Sequence, residues 1–197
     1  MRWVIGVDEA GRGPLAGPVA VGLVRVPESF DLLAAFPGLN DSKKLTEKRR
    51  EALFTLLEER VAAGDLSYCV KLPSAQRIDA EGIAVVIRGA IKEGLGELAQ
   101  PSADGYATEG KVWLDGALRA PSHYEQETVI GGDALIPAIM LASVAAKVTH
   151  DRLMVQLAEE YPQYGFEKHK GYGTKAHLDA IRAHGQCAEH RASFIHI

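Results

Sequence analysis

The chain has 197 residues, of which 47% are hydrophobic and 24% are charged, and its formal net charge is −4. These values predict one compact domain over residues 1–197, and they argue against a disordered chain or a protein that coats nucleic acid nonspecifically. Two widely separated cysteines argue against a disulfide framework or a zinc site, and because no apolar run of about 18 residues and no secretory signal is found, we expect a cytoplasmic protein.

The first part of the chain is predicted to contain three strands and one helix. Residues 3–7 and 18–26 are rich in Val, Ile and Leu, and the Gly/Pro-rich stretch 11–18 between them predicts a hairpin. Residues 46–63 carry apolar side chains at helical spacing opposite a charged face, which predicts a helix. The segment LSYCVKL, residues 66–72, predicts a short strand.

The rest of the chain alternates between helices and strands. The predicted elements are a helix over about 75–99, a polar loop over 100–110, strands over 111–116 and around 127–130, a helix from Pro137 to Pro162, and a C-terminal helical segment from about 174 to 184. An initial hairpin followed by this alternation predicts an α/β domain with a mixed sheet covered by helices.

Acidic residues follow three of the predicted strands. Asp8 and Glu9 end the first strand, Asp115 ends the strand over 111–116, and Asp133 follows the next one. Ligands of α/β sheets bind beyond strand ends, so these acids can converge. Since successive side chains of a strand face opposite sides, Asp8 and Glu9 share one site only if the backbone departs from regular pleating near Gly11.

Converging carboxylates need a neutralising cation. An all-oxygen site favours Mg²⁺ or Mn²⁺, and two such ions suit phosphodiester hydrolysis. The alternative for any single aspartate is a helix cap or a turn. Two basic segments, residues 41–50 and 166–177, suit phosphate binding, and their alternative role is a solvated surface.

The motifs DEAGRGPLAGPV, DSKKL, LDG, GGD, ASVAAKVTHDR and YGFEKHKGYGT occur in this order and resemble bacterial ribonuclease HII from about residue 4 to HRASF. The resemblance implies a ribonuclease H-like fold with a mixed five-stranded sheet. It implies a monomeric endonuclease of ribonucleotide excision repair that cleaves the RNA strand of RNA–DNA hybrids and cuts 5′ to single ribonucleotides embedded in duplex DNA. The implied catalytic residues hold two divalent ions, Mn²⁺ or Mg²⁺, and are Asp8, Glu9, Asp115 and Asp133.

The resemblance also assigns residues that bind the substrate. Gly11, Arg12 and Gly13 are assigned to the ribose at the RNA-to-DNA junction, where glycines permit close approach to the 2′-hydroxyl. Tyr172 is assigned to the adjacent deoxyribose, and its alternative role is to anchor a loop.

Lysines of both basic segments are assigned to backbone phosphates, and two residues of the long helix are assigned to the substrate's vicinity. The lysines are Lys43, Lys44, Lys168 and Lys170, and the two residues of the long helix are Ser143 and Lys147. Asp151 lies four residues after Lys147 on the same helix face, so we expect the two to pair.

Three features depart from the family pattern. No lysine precedes GGD and His150 stands where relatives often have arginine, so we expect weaker phosphate contacts there. Little sequence follows HRASF, which puts in doubt a C-terminal contact with nucleic acid or a sliding clamp. The alternative functions are a non-catalytic nucleic-acid-binding module, against which the four acids argue, and a DNA-junction nuclease, against which GRG and Tyr172 argue.

Overall fold

The computed structural model describes residues 2–99 and 110–196. Five strands form one mixed sheet in the order β3-β2-β1-β4-β5. Their bounds are β1 Trp3–Ala10, β2 Ala20–Pro27, β3 Ser67–Lys71, β4 Gly110–Asp115 and β5 Glu125–Val129. The pairs β1–β2 and β2–β3 are antiparallel, whereas β1–β4 and β4–β5 are parallel. The mixed five-stranded sheet and the opening hairpin are therefore confirmed.

Helices cover both faces of this sheet. Their bounds are α1 Leu32–Ala35, α2 Glu47–Ala62, α3 Ala75–Glu81, α4 Ile83–Leu98, α5 Pro137–Glu160, α6 Phe166–His169 and α7 Lys175–His184. The hydroxyls of Thr46 and Thr174 cap α2 and α7 by accepting hydrogen bonds from backbone N–H groups in the first turn. Within residues 2–99 and 110–196, no helix is both long and apolar enough to cross a membrane.

The long helix α5 packs unusually close to the sheet. A Cβ atom added to Gly6 of β1 would lie 2.1 Å from the carbonyl carbon of Ala138, and one added to Gly22 of β2 would lie 2.3 Å from the carbonyl oxygen of Ala142. Only glycine fits at these crossings. The close approach brings the next turn of α5, which contains Ser143, beside the end of β1.

Two apolar cores lie on opposite faces of the sheet. One contains Val7 and Leu114 together with the buried side of α4, and the other packs α2 and α5 against the opposite face. A third cluster joins α6 and α7 to the segment after β1, through Phe166, Ile181 and Ala16. The C-terminal part of the chain is thus anchored beside the first loop.

The predicted helix over 75–99 is wrong as a single element. Gly82 has a φ of +83°, which ends α3 and starts α4 in a new direction. The strand predicted around 127–130 lies at 125–129, and the first strand continues to Ala10 because it pairs with β2 over its whole length. The predicted loop over 100–110 lies outside the described residues, except Gly110, which begins β4.

Candidate active site

Three of the four predicted acids come together at one edge of the sheet. Val7 of β1 pairs with Leu114 of the parallel strand β4, so Asp8 and Asp115, the next residue of each strand, lie side by side on one face. Asp133 lies in a single 3₁₀ turn after β5. One carboxylate oxygen from each of these aspartates lies within 4.8 Å of the others.

Glu9 belongs to the opposite face of the strand. β1 keeps its regular antiparallel register through Glu9 and Ala10, which pair with Val21 and Ala20, so the expected departure from pleating is not observed. Instead of joining the three aspartates, the Glu9 carboxylate accepts a hydrogen bond from the Arg12 guanidinium at 3.1 Å. Glu9 nevertheless lines the same cavity as Asp8 and Asp115.

The surroundings of Asp8 destabilise the ionised form of its carboxyl group. Its side chain is nearly inaccessible, at 4% exposure, and burial raises its pKa to about 8, helped by the charges of Asp115 and Glu9. Hydrogen bonds from the Ser143 hydroxyl and the Glu9 backbone N–H, the latter at 2.8 Å, act in the opposite direction. A cation beside Asp8 would stabilise its ionised carboxylate and so offset the cost of burying that charge.

The carboxylate cluster has the composition of a site for a hard divalent cation. Asp8, Asp115 and Asp133 offer oxygen ligands without histidine or cysteine, as Mg²⁺ and Mn²⁺ prefer. The one ammonium that reaches the cluster within the described residues is that of Lys43, whose Nζ lies 2.7 Å from Oδ2 of Asp133. The residues present therefore fit a metal centre.

A cavity of about 440 Å³ opens beside the cluster and gathers most of the predicted substrate-binding residues. It is lined by Asp8, Glu9, Ala10, Gly11, Arg12, Gly13, Ser42, Lys43, Asp115, Ser143, Lys147 and Tyr172. Three predicted lysines lie outside it. Lys44 is near Asp41, Lys168 is near Glu167, and the Lys170 ammonium donates to the Glu167 backbone carbonyl.

The GRG segment forms one wall of this cavity opposite an exposed aromatic ring. Gly11 has a φ of +78°, and a Cβ atom there would lie 2.5 Å from the His150 ring. A Cβ atom on Gly13 would lie 3.7 Å from Cε1 of Tyr172, so the two residues are in contact range. Tyr172 is 45% exposed, so part of the residue is accessible to a ligand.

A fully buried arginine holds the GRG segment from behind, and the sequence analysis missed it. The Arg191 guanidinium donates to the backbone carbonyls of Gly11, Pro18, Gly17 and Arg12 at 2.7, 2.8, 2.9 and 3.0 Å. Burial lowers its pKa to about 10. The HRASF motif was the only sequence signal, and nothing in it indicated which carbonyls the arginine binds.

The predicted pair on α5 is confirmed. The Lys147 ammonium lies 2.9 Å from Oδ1 of Asp151, and Nδ1 of His150 lies 3.0 Å from the same oxygen. His150 is fully buried and packs against Gly11, so it supports the loop rather than meeting a phosphate. Ser42, which the sequence analysis did not assign, forms a 2.8 Å hydroxyl contact with Ser143.

Comparison with known proteins identifies the family. The family model described as Ribonuclease HII matches residues 5–197. The chain belongs to the ribonuclease HII family. The resemblance inferred from the motifs is thereby confirmed.

Curated ribonuclease HII relatives match almost the whole chain. The protein of Endomicrobium trichonymphae is 43% identical over 192 residues, which cover 97% of this chain and 84% of that protein. The protein of Bacillus cereus strain Q1 is 42% identical over 194 residues, which cover 98% and 69% of the two chains.

A solved structure extends the similarity to the fold. The crystal structure of ribonuclease H2 from Pyrococcus horikoshii OT3 matches with a TM-score of 0.75 and 26% identity, covering 97% of this chain and 93% of that one. The fold is therefore that of ribonuclease H. As a member of this family, the protein is a metal-dependent endoribonuclease that acts on RNA–DNA hybrids, which excludes the alternative of a non-catalytic binding module.

Proposed function

We propose that this enzyme also cuts duplex DNA on the 5′ side of a single embedded ribonucleotide, leaving a 5′-phosphate and a 3′-hydroxyl. One observation carries the proposal: the cavity beside the three clustered aspartates is also lined by the GRG segment and by Tyr172. The acids proposed to hold the metal ions and the segment proposed to recognise the sugar thus face the same space.

The four acids are proposed to hold two divalent ions, Mg²⁺ or Mn²⁺. Asp8, Asp115 and Asp133 supply the clustered oxygens, and Glu9 supplies a further carboxylate from the cavity wall. Such ions, when bound, neutralise charge on a phosphate and lower the pKa of water. The raised pKa of Asp8 supports this assignment, because the site is poorly built for a charged carboxyl without a cation.

Selection of the ribonucleotide is proposed to rest on the GRG wall. The backbone of Gly11, Arg12 and Gly13 can approach a sugar closely, and a 2′-hydroxyl both donates and accepts hydrogen bonds. The Tyr172 ring is proposed to stack on the next sugar, where the missing 2′-hydroxyl of deoxyribose leaves room. Its exposure and its contact range to Gly13 support this role.

Basic and hydroxyl groups around the acids are proposed to hold the backbone. Lys43, Ser143 and Lys147 line the cavity and can meet phosphates near the cleavage site. Lys44 and Lys170 lie outside the cavity and are proposed to contact phosphates farther along the duplex. The enzyme would act as a monomer on genomic DNA in the cytoplasm, at the first step of ribonucleotide excision repair.

The test is cleavage of an end-labelled DNA duplex that carries one ribonucleotide. With Mg²⁺ or Mn²⁺ we expect a single product cut 5′ to the ribonucleotide, and with EDTA we expect none. Asp115→Asn should abolish cleavage while circular dichroism shows a retained fold. An all-DNA duplex is the matched control, and its cleavage at an equal rate would contradict recognition of the 2′-hydroxyl.

Two further variants test the sugar-reading wall. Tyr172→Ala should reduce the rate on the single-ribonucleotide duplex, whereas Tyr172→Phe keeps the ring and should retain activity. Arg12→Ala should also reduce that rate. Loss of thermal stability in these variants, with an unchanged rate on the single-ribonucleotide duplex, would instead indicate a structural role.

A further inference from the structure

A second, smaller cavity lies on the α4 side of the GRG segment. It has a volume of about 100 Å³ and is lined by Arg12, Arg88 and Arg119. Its other lining residues are Ala84, Ile87, Ile91, Ala117 and Leu118. Three arginines therefore surround a small recess whose remaining lining is apolar.

The positive charge of this cavity is poorly balanced. Arg12 pairs with Glu9 at 3.1 Å, and Arg119 donates to the Leu118 carbonyl at 2.9 Å and to the Thr128 hydroxyl, without a carboxylate partner in the described part of the chain. Arg88 is exposed and has no hydrogen-bond or ion-pair partner within residues 2–99 and 110–196. The cavity therefore has unused guanidinium donors.

The position of the cavity relates it to the carboxylate cluster. Arg12 lines both this cavity and the larger one that contains Asp8 and Asp115. Lys43 and Lys147 line the larger cavity, and Lys147 belongs to α5, which covers the opposite face of the sheet. A nucleic-acid strand that crosses the sheet edge at the aspartates therefore meets positive charge on both sides.

We propose that Arg12, Arg88 and Arg119 form a binding site for one backbone phosphate of the nucleic-acid substrate. A guanidinium presents a planar set of N–H donors that suits phosphate oxygens, and an apolar floor strengthens the attraction by reducing contact with water. The inference rests on the proposed placement of the duplex over the carboxylate cluster. It assigns Arg88 and Arg119, which no motif singled out, to the substrate path.

The test is equilibrium binding of a fluorescein-labelled 20-base-pair RNA–DNA hybrid in EDTA, measured by anisotropy over a range of KCl concentrations. Arg88→Gln and Arg119→Gln should each weaken binding roughly three- to tenfold at moderate salt. Each variant should also lower the slope of log Kd against log salt, by at most about one. The double variant should lower that slope by about one, because the site binds one phosphate.

The matched control is Arg77→Gln, which removes the same charge from the neighbouring helix α3, where Arg77 pairs with Glu81 and lines neither cavity. It should bind as the wild-type protein does. Cavity variants with the affinity and salt slope of Arg77→Gln would overturn the proposal.

Repeating the titration with an all-DNA duplex separates this proposal from the proposed function. A phosphate contact does not read the sugar, so Arg88→Gln and Arg119→Gln should lower the salt slope by the same amount on both duplexes. An effect confined to the hybrid would overturn the phosphate assignment. Failure of the wild-type enzyme to cut at a single ribonucleotide would overturn the proposed function. The salt slopes of Arg88→Gln and Arg119→Gln would still test whether the smaller cavity binds a phosphate.

Discussion

Replacement of Asp8 by asparagine should make the metal-free protein more stable. The Asp8 carboxyl is buried beside Asp115, and burial raises its pKa to about 8 from an ordinary value of 3.8. In the unfolded chain the same group is solvated and ionises near the ordinary value. Asparagine has similar size and can still bond to Ser143, but it has no proton to lose.

The sign and size of the effect follow from proton binding. Between pH 3.8 and about 8 the folded protein retains a proton on Asp8 that the unfolded chain has released, so its contribution to stability falls as pH rises through this window. One pKa unit corresponds to about 1.4 kcal/mol, so the penalty reaches about 4 kcal/mol at pH 7. It is about 1 kcal/mol at pH 4.5. Asp8→Asn removes this penalty.

The assay is urea unfolding of the wild-type protein and Asp8→Asn in EDTA at pH 4.5, 6 and 7.5. The difference in free energy of unfolding should favour the variant and should grow with pH. Asp65→Asn, at a half-buried position outside the site where Asp65 pairs with Arg60, is the control and should show no such growth. An Asp8→Asn protein that is less stable than wild type at pH 7.5, or a difference independent of pH, would refute the reasoning.

Three further outcomes are expected. Lys43→Met should bind Mn²⁺ several-fold more tightly by calorimetry, because the Lys43 ammonium competes for Asp133, whereas Lys44→Met should not change the affinity. Burial lowers the pKa of His190 to about 4, so its contribution to stability is complete above pH 6.5 and is lost as the pH falls. In urea unfolding of Asp8→Asn, the free energy of unfolding should therefore drop by about 2 kcal/mol between pH 6.5 and 5. A constant free energy of unfolding over this range would contradict the prediction. Arg191→Lys should lower the free energy of unfolding in urea by about 2 kcal/mol, because one ammonium cannot reach the four carbonyls that the Arg191 guanidinium binds. Unchanged stability would contradict a stabilising role for these four hydrogen bonds, which we call the Arg191 clamp.

Part of the site could be predicted because its signals are local. Asp8 and Asp115 each follow a short apolar run, and the carboxyl ends of parallel strands meet at one sheet edge. The same period of two that identifies the strand also places Glu9 on the other face, and the structure follows this rule. The motifs group Glu9 with the aspartates, but they do not indicate that Glu9 lies on the opposite face of the strand from Asp8.

Other features depend on contacts between distant segments. A single glycine within a helical pattern does not reveal whether the helix bends, continues or ends, so the break at Gly82 could not be predicted. The packing of His150 against Gly11 and the bonds of Arg191 to the same loop leave no periodic signal, because each joins segments that lie far apart in the sequence. Only the assembled fold identifies them.

The Arg191 clamp gives the order of synthesis a consequence for the enzyme. Gly11 and Arg12 are synthesised 180 and 179 residues before Arg191, whose guanidinium binds their carbonyls. A nascent chain can therefore contain β1, β4 and all three clustered aspartates before the side chain that holds the Gly11–Gly13 segment has been made. Translation that stops short of Arg191 yields a polypeptide that contains the three clustered aspartates but lacks the guanidinium that binds the carbonyls of Gly11 and Arg12.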